Sequence, residues 1–349
     1  MRIVVAGGGP AGLAFALLMK IRRPSAEIVV CERRSPGETY GWGITLPARA
    51  VASLGAIDAD AAAEIARRGA SWDRIEIFHL GRRVDMAGAR LIGVSRLALL
   101  EILQARCRDL GVALEFGRAV DPAAPPACDL LVAADGARSG LRQARAREFG
   151  TVVREGINRY VWLCTPRRFD GLGFILVDTE HGPLVAHSYP FDAAVSTFVV
   201  ECGPETWARA ALETRSVEET CAWLASAFAD ALAGQPLMFD RALRWSRFVH
   251  VSNETWSSGR TVLIGDAAHA IHFSVGSGTL LAFEDANALS EHLAATDDVG
   301  GALQAFGTLR ARAIEEFRAI EDLTVSRLER LEHLRDQEPL ALALTLLGR

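Results

Sequence analysis

Two rhythms of apolar and polar positions alternate along the chain. Residues 2–6 (RIVVA) and 27–32 (EIVVCE) are short, nearly unbroken apolar runs, and residues 10–21 between them carry apolar side chains at helical spacing. Such runs predict two strands buried on both faces and joined by a helix, which is one βαβ unit. Leu97 to Leu110 (LALLEILQARCRDL) repeats the helical spacing, and 129–134 and 261–264 are further short apolar runs. The second rhythm is alternation, in 72–86 and 158–202, with RYVWLCT and STFVVEC as its clearest stretches. That pattern predicts antiparallel sheet with one open face. From Leu303 onward the chain is charged and amphipathic, ending in PLALALTLLGR, and predicts C-terminal helices. Because the rhythms interleave, the expected class is α/β with discontinuous domains. A Rossmann-like unit is drawn from 1–70, 95–155 and 250–300, an antiparallel-sheet unit from 71–94 and 156–249, and helices fill 301–349.

Length agrees with two domains, since 349 residues exceed one ordinary domain at about 150 residues each. Half the residues are hydrophobic and 23% are charged, the balance of a globular protein with a large core. A net charge of -5 gives no basic footprint, so neither nucleic acid nor an anionic membrane is an expected partner. Ala11 to Met19, the longest apolar stretch after the first strand, is shorter than the ~20 residues that span a bilayer and reads as a core helix. The start MRIVVAGGGP lacks the features of a signal peptide. Cys31, Cys107, Cys128, Cys164, Cys202 and Cys221 show no CxxC spacing. They predict reduced buried thiols in a cytoplasmic protein, with no disulfide and no metal site.

Three segments carry chemistry. The first is Gly7-x-Gly9-x-x-Gly12, containing Pro10 and Ala11, between a strand and a helix, with Glu32 and Arg33 at the end of the next strand. Glycines there allow a tight turn and close approach to a pyrophosphate at the helix N-terminus, and the acid accepts from ribose hydroxyls. This predicts a dinucleotide without separating NAD from FAD. The second segment is DLLVAADGARSGLR, with Asp135, Gly136, Ser139 and Arg142. The third is GDAAHAIHFSVGSGT, with Asp266, His272, Phe273, Gly276 and Gly278. Taken singly, Asp135 reads as a helix N-cap and Asp266 as a turn carboxylate.

Together, and in this order over nearly the whole chain, the three segments resemble the fingerprints of the FAD-dependent aromatic hydroxylases, the group A flavoprotein monooxygenases of the p-hydroxybenzoate hydroxylase type. The resemblance implies FAD, NAD(P)H and O2, an electron-rich aromatic substrate, and an FAD-binding domain beside a substrate domain. It implies that Asp135 and Gly136 lie between flavin and nicotinamide, and that Asp266 holds the ribitol. It also implies that Gly276 and Gly278 let backbone reach the flavin ring, and that Arg96 serves the FAD phosphates. Phe273 and Leu280 depart from the wider family's usual proline and asparagine. HFSxGxGT, LLEILQARC (99–107), AHSYPF (186–191) and STFVVEC (196–202) resemble a narrower branch. That branch includes the violacein-pathway hydroxylase and the hydroxylases of salicylyl-CoA and 2-aminobenzoyl-CoA.

GWGITLP (41–47) resembles the violacein-pathway enzyme more, and Leu280 stands where a lysine is expected in the thioester enzymes. The expected substrate is therefore an indole or tryptophan-derived intermediate, with an aryl-CoA thioester as the alternative. His272 and His187 are the candidates to withdraw a proton from substrate OH or NH, and Tyr189 shares a strand face with His187, as Trp162 does with Tyr160. These four read either as an aromatic pocket over the flavin or as a cluster in an ordinary sheet. His79, His181, His250 and His333 have no ligand spacing and read as structural or surface residues. A flavin halogenase is disfavoured because WxWxIP is absent. An FAD-dependent reductase on the same scaffold and a non-catalytic flavin-binding redox module are the remaining rivals.

Overall fold

The computed structural model describes residues 1–239 and 244–346. The last three residues of the expected C-terminal helices lie outside that range. The apolar runs form one sheet whose order is Ser257–Ser258, Thr261–Leu263, Leu130–Ala133, Arg2–Ala6, Glu27–Glu32, Ala113–Phe116. From Thr261–Leu263 to Ala113–Phe116 the neighbours pair parallel, Val4 facing Val29 on one side and Leu131 on the other. Helix Pro10–Arg22 buries every residue from Ala11 to Met19. It packs between that sheet and helix Gly278–Ala295, which leaves it no wet face and explains its unbroken apolar sequence. Proline at its first position suits an N–H that has no helical partner.

The alternating segments form a second sheet, in the order Ser246–Ser252, Val152–Thr165, Ser196–Cys202, Gly182–Pro190, Leu172–Thr179, Ala70–His79, Arg82–Ser95, Gly43–Pro47. All neighbours are antiparallel except the pair Ala70–His79 and Leu172–Thr179. Period-two alternation gives each face its own partners. Val161, Leu163, Ala186, Phe198 and Val200 pack on the helices between Pro204 and Leu232. Tyr160, Trp162, His187, Tyr189 and Val199 point the other way, toward the parallel sheet's domain. Further along that second face, Phe174, Leu176 and Val185 are covered by Leu328, Leu331, Leu342 and Leu346. The C-terminal helices therefore cap one end of the face that the cavity occupies at the other.

Four boundaries differ from the expected ones. Gly43–Pro47, placed by sequence in the 1–70 unit, is the edge strand of the antiparallel sheet, with Ile44 opposite Val94 and Leu46 opposite Ile92. Five residues with only Ile44 and Leu46 as alternating apolar positions give too little pattern to announce a strand. Val152–Thr165 starts before 156, and Ser246–Ser252 runs past 250. The long helix Val299–Leu328 begins at Asp298, whose side chain accepts from the Gly301 N–H, and so before Leu303. The six cysteines form no disulfide with one another. Among the described residues no helix is long and apolar enough to cross a membrane.

Candidate active site

A cleft of about 350 Å³ opens at the C-terminal ends of Arg2–Ala6, Glu27–Glu32 and Leu130–Ala133, where parallel sheets bind nucleotides. Gly7, Gly9, Glu32, Arg33, Arg96, Asp135 and Gly136 all line it. Gly7 has φ +114°, and a Cβ there would lie 2.2 Å from the Ala134 carbonyl oxygen. A Cβ on Gly12 would lie 2.1 Å from the Gly7 carbonyl oxygen, so side chains at either position would push strand and helix apart. Gly9 faces open space at the start of helix Pro10–Arg22. Backbone N–H groups there are available to an anion. The Glu32 carboxylate accepts from Gly8 N at 2.7 Å and Arg34 N at 2.9 Å. Ala11 sits against Gly265, where a Cβ would come within 2.8 Å of it, so the first and third segments touch.

Arg96 opens helix Arg96–Asp109, whose N-cap is Ser95, and its Nε donates to Thr39 Oγ1 at 3.1 Å. Crowding by protein lowers the guanidinium pKa, opposed by the Asp266 carboxylate across the cleft. Asp266 keeps a solvent-exposed face yet is hemmed in on its other sides. That desolvation raises its carboxyl above the usual range, with His269 and Arg96 pulling it back.

Two buried clamps hold these segments. Asp135 Oδ2 accepts from Gly140 N at 2.9 Å, and Ser139 caps helix Gly140–Ala144 by accepting from Arg142 N at 3.0 Å. The fully buried Arg142 donates to the Ala137 carbonyl at 2.6 Å and the Ala267 carbonyl at 3.0 Å, tying the second segment to the third. Asp285, completely buried on helix Gly278–Ala295, accepts from Gly265 N at 2.8 Å and from Arg310 Nε at 2.8 Å, and bonds His269 Nε2 at 2.6 Å. Burial alone would push the Asp285 carboxyl up, but His269 and Arg310 together hold it below its ordinary value. Sequence reasoning missed Asp285 and Arg310. Their one signal is an acid inside an otherwise apolar helix face.

A second cavity of about 180 Å³ is walled by Tyr160, Trp162, His187, Tyr189, Phe273 and Leu280, with Gly276 and the exposed Arg49 also lining it. The Asp266 charge acts both on Arg96 in the cleft and, with that of Arg138, on Tyr160 in this cavity. Tyr189 donates its hydroxyl to the Gly43 carbonyl at 2.9 Å and stacks on Trp72. Burial pushes both tyrosine hydroxyls up. His187 meets Phe174 and Phe273 edge-on, and burial lowers its imidazole to about 4, so it is neutral at pH 7. Gly276 needs its left-handed φ of +67°, and Gly278 faces open space.

His187 and Tyr189 thus meet at one cavity, and His272 does not join them. The short turn Phe273–Val275 sends the Phe273 ring to the cavity, while the His272 ring packs on Phe248 and His250. Its N–H donates to Glu321 at 2.6 Å, and its Nδ1 lies 2.7 Å from Ser274 Oγ. Burial lowers the His272 pKa, as do the nearby His187 and His250. Arg49, at the rim, is a cavity residue that sequence reasoning did not single out.

The site suits a group with a phosphate-bearing nucleotide at one end and a flat ring at the other. Above Gly9, Gly136 and Gly278 no atom stands within 4 Å of where a Cβ would be. Asp135 Oδ1 is buried without a partner. A family model for an FAD binding domain matches residues 123–302. The chain is 41% identical over 331 residues, 95% of this chain and 90% of the other, to a 3-hydroxy-4-methyl-anthranilyl-[aryl-carrier protein] 5-monooxygenase of Streptosporangium sibiricum. It is 38% identical to a salicyloyl-CoA 5-hydroxylase of a Streptomyces species, covering 91% of this chain and 63% of that enzyme. It is 33% identical to the protodeoxyviolaceinate monooxygenase of Chromobacterium violaceum, over 92% of this chain and 87% of that one. Its fold is similar to a solved 2-methyl-3-hydroxypyridine-5-carboxylic acid oxygenase, with TM-score 0.77 and 20% identity over 99% of this chain and 92% of that one.

Proposed function

Because this chain belongs to the FAD-dependent aromatic monooxygenases, we propose that it hydroxylates a single amino- or hydroxybenzoyl ring carried as a thioester on a larger group. Membership in a family of enzymes sets the non-catalytic module aside. The observation that carries the substrate reading is the cavity. Its volume of about 180 Å³ lies below the ~300–1,000 Å³ of sites for drug-sized ligands, so it suits one ring better than a bis-indole. The indole preference rested on the GWGITLP stretch and on the missing cation at Leu280, and the second ground falls away. Leu280 is a buried wall residue, and Arg49 supplies a cation at the rim of the same cavity, where it can meet a thioester oxygen or a phosphate. The 41% identity to the enzyme of a carrier-bound anthranilyl group, against 33% to the violacein-pathway enzyme, supports the same order.

Bound FAD, reduced by NAD(P)H, supplies the activation of O2. In this reading the Gly7–Gly12 turn and Arg96 hold its phosphates, Glu32 its ribose and Asp266 its ribitol. Gly276 and Gly278 give backbone access to its ring. The aromatic walls orient the substrate ring and exclude water. Neutral His187 accepts a proton at its cavity-side nitrogen from the ring's OH or NH, making the ring electron-rich, while Tyr189, held by Gly43, fixes the same wall beside it.

The test is donor oxidation by NADH and NADPH in the presence of N-acetylcysteamine thioesters of 3-hydroxyanthranilate and salicylate, the free acids, and indolic compounds, with product masses. A thioester product heavier by one oxygen atom is expected. Coupled turnover of indoles with none of thioesters restores the indolic reading.

A further inference from the structure

We propose that Glu201, held in place by Asn158, is the buried acceptor behind His187 that takes the substrate's proton out of the cavity. The proposal rests on the reading of His187 as the group that accepts that proton.

Strand alternation puts the participants on one face. His187 lies opposite Val199, Val199 opposite Trp162, and Glu201 opposite Tyr160, so His187, Glu201 and Asn158 share the face that walls the cavity. His187 Nε2 and Glu201 Oε2 are 4.0 Å apart, on side chains 5% and 3% exposed. Neither atom has a hydrogen-bond partner. Two unpartnered polar atoms buried face to face are costly, and native cores seldom keep them without a use. Their separation is the span of one bridging water. The other carboxylate oxygen, Oε1, accepts from Asn158 Nδ2 at 2.8 Å, and the same amide group donates to the Leu328 carbonyl at 2.8 Å. Next to Asn158, Ile157 N donates at 3.3 Å to Glu329, which is only partly buried. Asn158 therefore anchors one carboxylate oxygen from behind and leaves the other facing His187.

The transfer balances without any redox partner. The substrate's O–H or N–H bond breaks, its electron pair stays on the ring substituent, and the proton bonds to His187 Nδ1. The Nε2–H bond then breaks and that proton joins Glu201 Oε2 through the bridging water, leaving His187 neutral. Burial sets the direction. It lowers His187 to about 4 and raises Glu201 to about 7, the latter opposed by Asn158 and reinforced by the Glu329 charge. An imidazolium so acidic gives its proton to a carboxylate that holds one near neutral pH. The other titratable groups facing the pair are His272, on the His187 side, and Tyr160 and Cys202, on the Glu201 side.

The test uses the FAD-loaded protein with 15N-labelled histidine. The His187 signal, assigned by its loss in His187→Asn, should shift with pH twice, once on its own protonation and once as Glu201 ionises. Glu201→Gln, which keeps shape and the bond from Asn158, should erase the second shift. Asn158→Asp, which sets a second carboxylate beside Glu201, should move that shift upward by about one pH unit. With the N-acetylcysteamine thioester of 3-hydroxyanthranilate, Glu201→Gln should lower kcat about 10- to 100-fold at pH 7 with KM little changed, and Glu201→Asp should recover part of it. A His187 titration unaltered in both variants overturns the acceptor role of Glu201, as does an unchanged kcat with the shift erased. Failure of the wild type to hydroxylate any thioester, with the coupled titration intact, overturns the functional reading alone.

Discussion

Removing the Asp285 carboxylate should destabilise the protein and loosen FAD together. The side chain accepts from Gly265 N and Arg310 Nε and bonds His269 Nε2, all at 2.6–2.8 Å and all out of water. In Asp285→Ala, Arg310 keeps only Glu284, at 3.0 Å, while His269 Nε2 and the Gly265 N–H lose their partner. Bonds to a charged group contribute about 1.5–3 kcal/mol each, but they share one carboxylate and do not sum. Breaking a buried pair costs about 3–5 kcal/mol, because the surviving charge stays buried. At roughly 2 °C per kcal/mol for a chain of this size, Tm should fall by roughly 6–10 °C. Asp285→Asn, which keeps the shape and one acceptor, should lose about half as much. Because the folded pKa of Asp285 is depressed, its contribution is complete above the unfolded value and is lost only as pH falls through the folded one, so pH 7 is the place to measure. Calorimetry of the apoprotein gives Tm, and flavin fluorescence titration gives Kd. Since Asp285 fixes the residue before Asp266, FAD affinity should weaken as well. A Tm loss below about 3 °C, or an unaltered FAD Kd, would refute the reasoning.

Asp266→Ala should weaken FAD binding by about 1.5–3 kcal/mol, roughly 10- to 150-fold in Kd, through loss of a charged acceptor; an unchanged Kd removes Asp266 from the ribitol. Glu201→Gln should change stability with pH in a defined direction. The folded pKa is raised to about 7, so the wild type is most favoured below the unfolded value near 4.3 and loses about 3–4 kcal/mol as pH rises through 7. The variant should therefore gain Tm on the wild type between pH 5 and 8, and a constant Tm difference would contradict the buried, neutral carboxyl. His272→Ala removes a ring packed on Phe248, His250 and Phe273. It should lower stability by about 2–3 kcal/mol, with product formed per donor oxidised within twofold of wild type. Strong H2O2 leakage at an unaltered Tm would instead put that ring beside the flavin.

Much of the cleft is legible in the sequence because its parts are local. Gly7, Gly9 and Gly12 act within one turn, Arg96 follows a helix cap, and His187 and Tyr189 share a face by simple alternation. What was not legible is set by partners far away in the chain. Asp285 is defined by Gly265 and Arg310, and Glu201 by Asn158 and His187, through pairings that only the assembled sheets create. Direction in irregular backbone is equally hidden. His272 and Phe273 are neighbours, and only the geometry of the turn Phe273–Val275 decides that the phenyl ring, and not the imidazole, reaches the cavity. Gly43–Pro47 escaped because a single edge strand owes its place to Arg82–Ser95 more than to its own pattern.

The strand order of the parallel sheet also governs when the protein can fold. Arg2–Ala6 lies beside Leu130–Ala133, which in turn lies beside Thr261–Leu263. Leu130–Ala133 therefore cannot be flanked on both sides until about three quarters of the chain has left the ribosome. At roughly 5–20 residues per second that interval is on the order of 10–50 s. Until then Leu130–Ala133 is the open edge of a partial sheet, paired only with Arg2–Ala6. Such long-range pairing slows folding and exposes strand edges to aggregation. N-terminal fragments ending before Thr261 should accordingly accumulate as insoluble chains unable to retain flavin, and slower growth at low temperature should favour recovery of the whole enzyme.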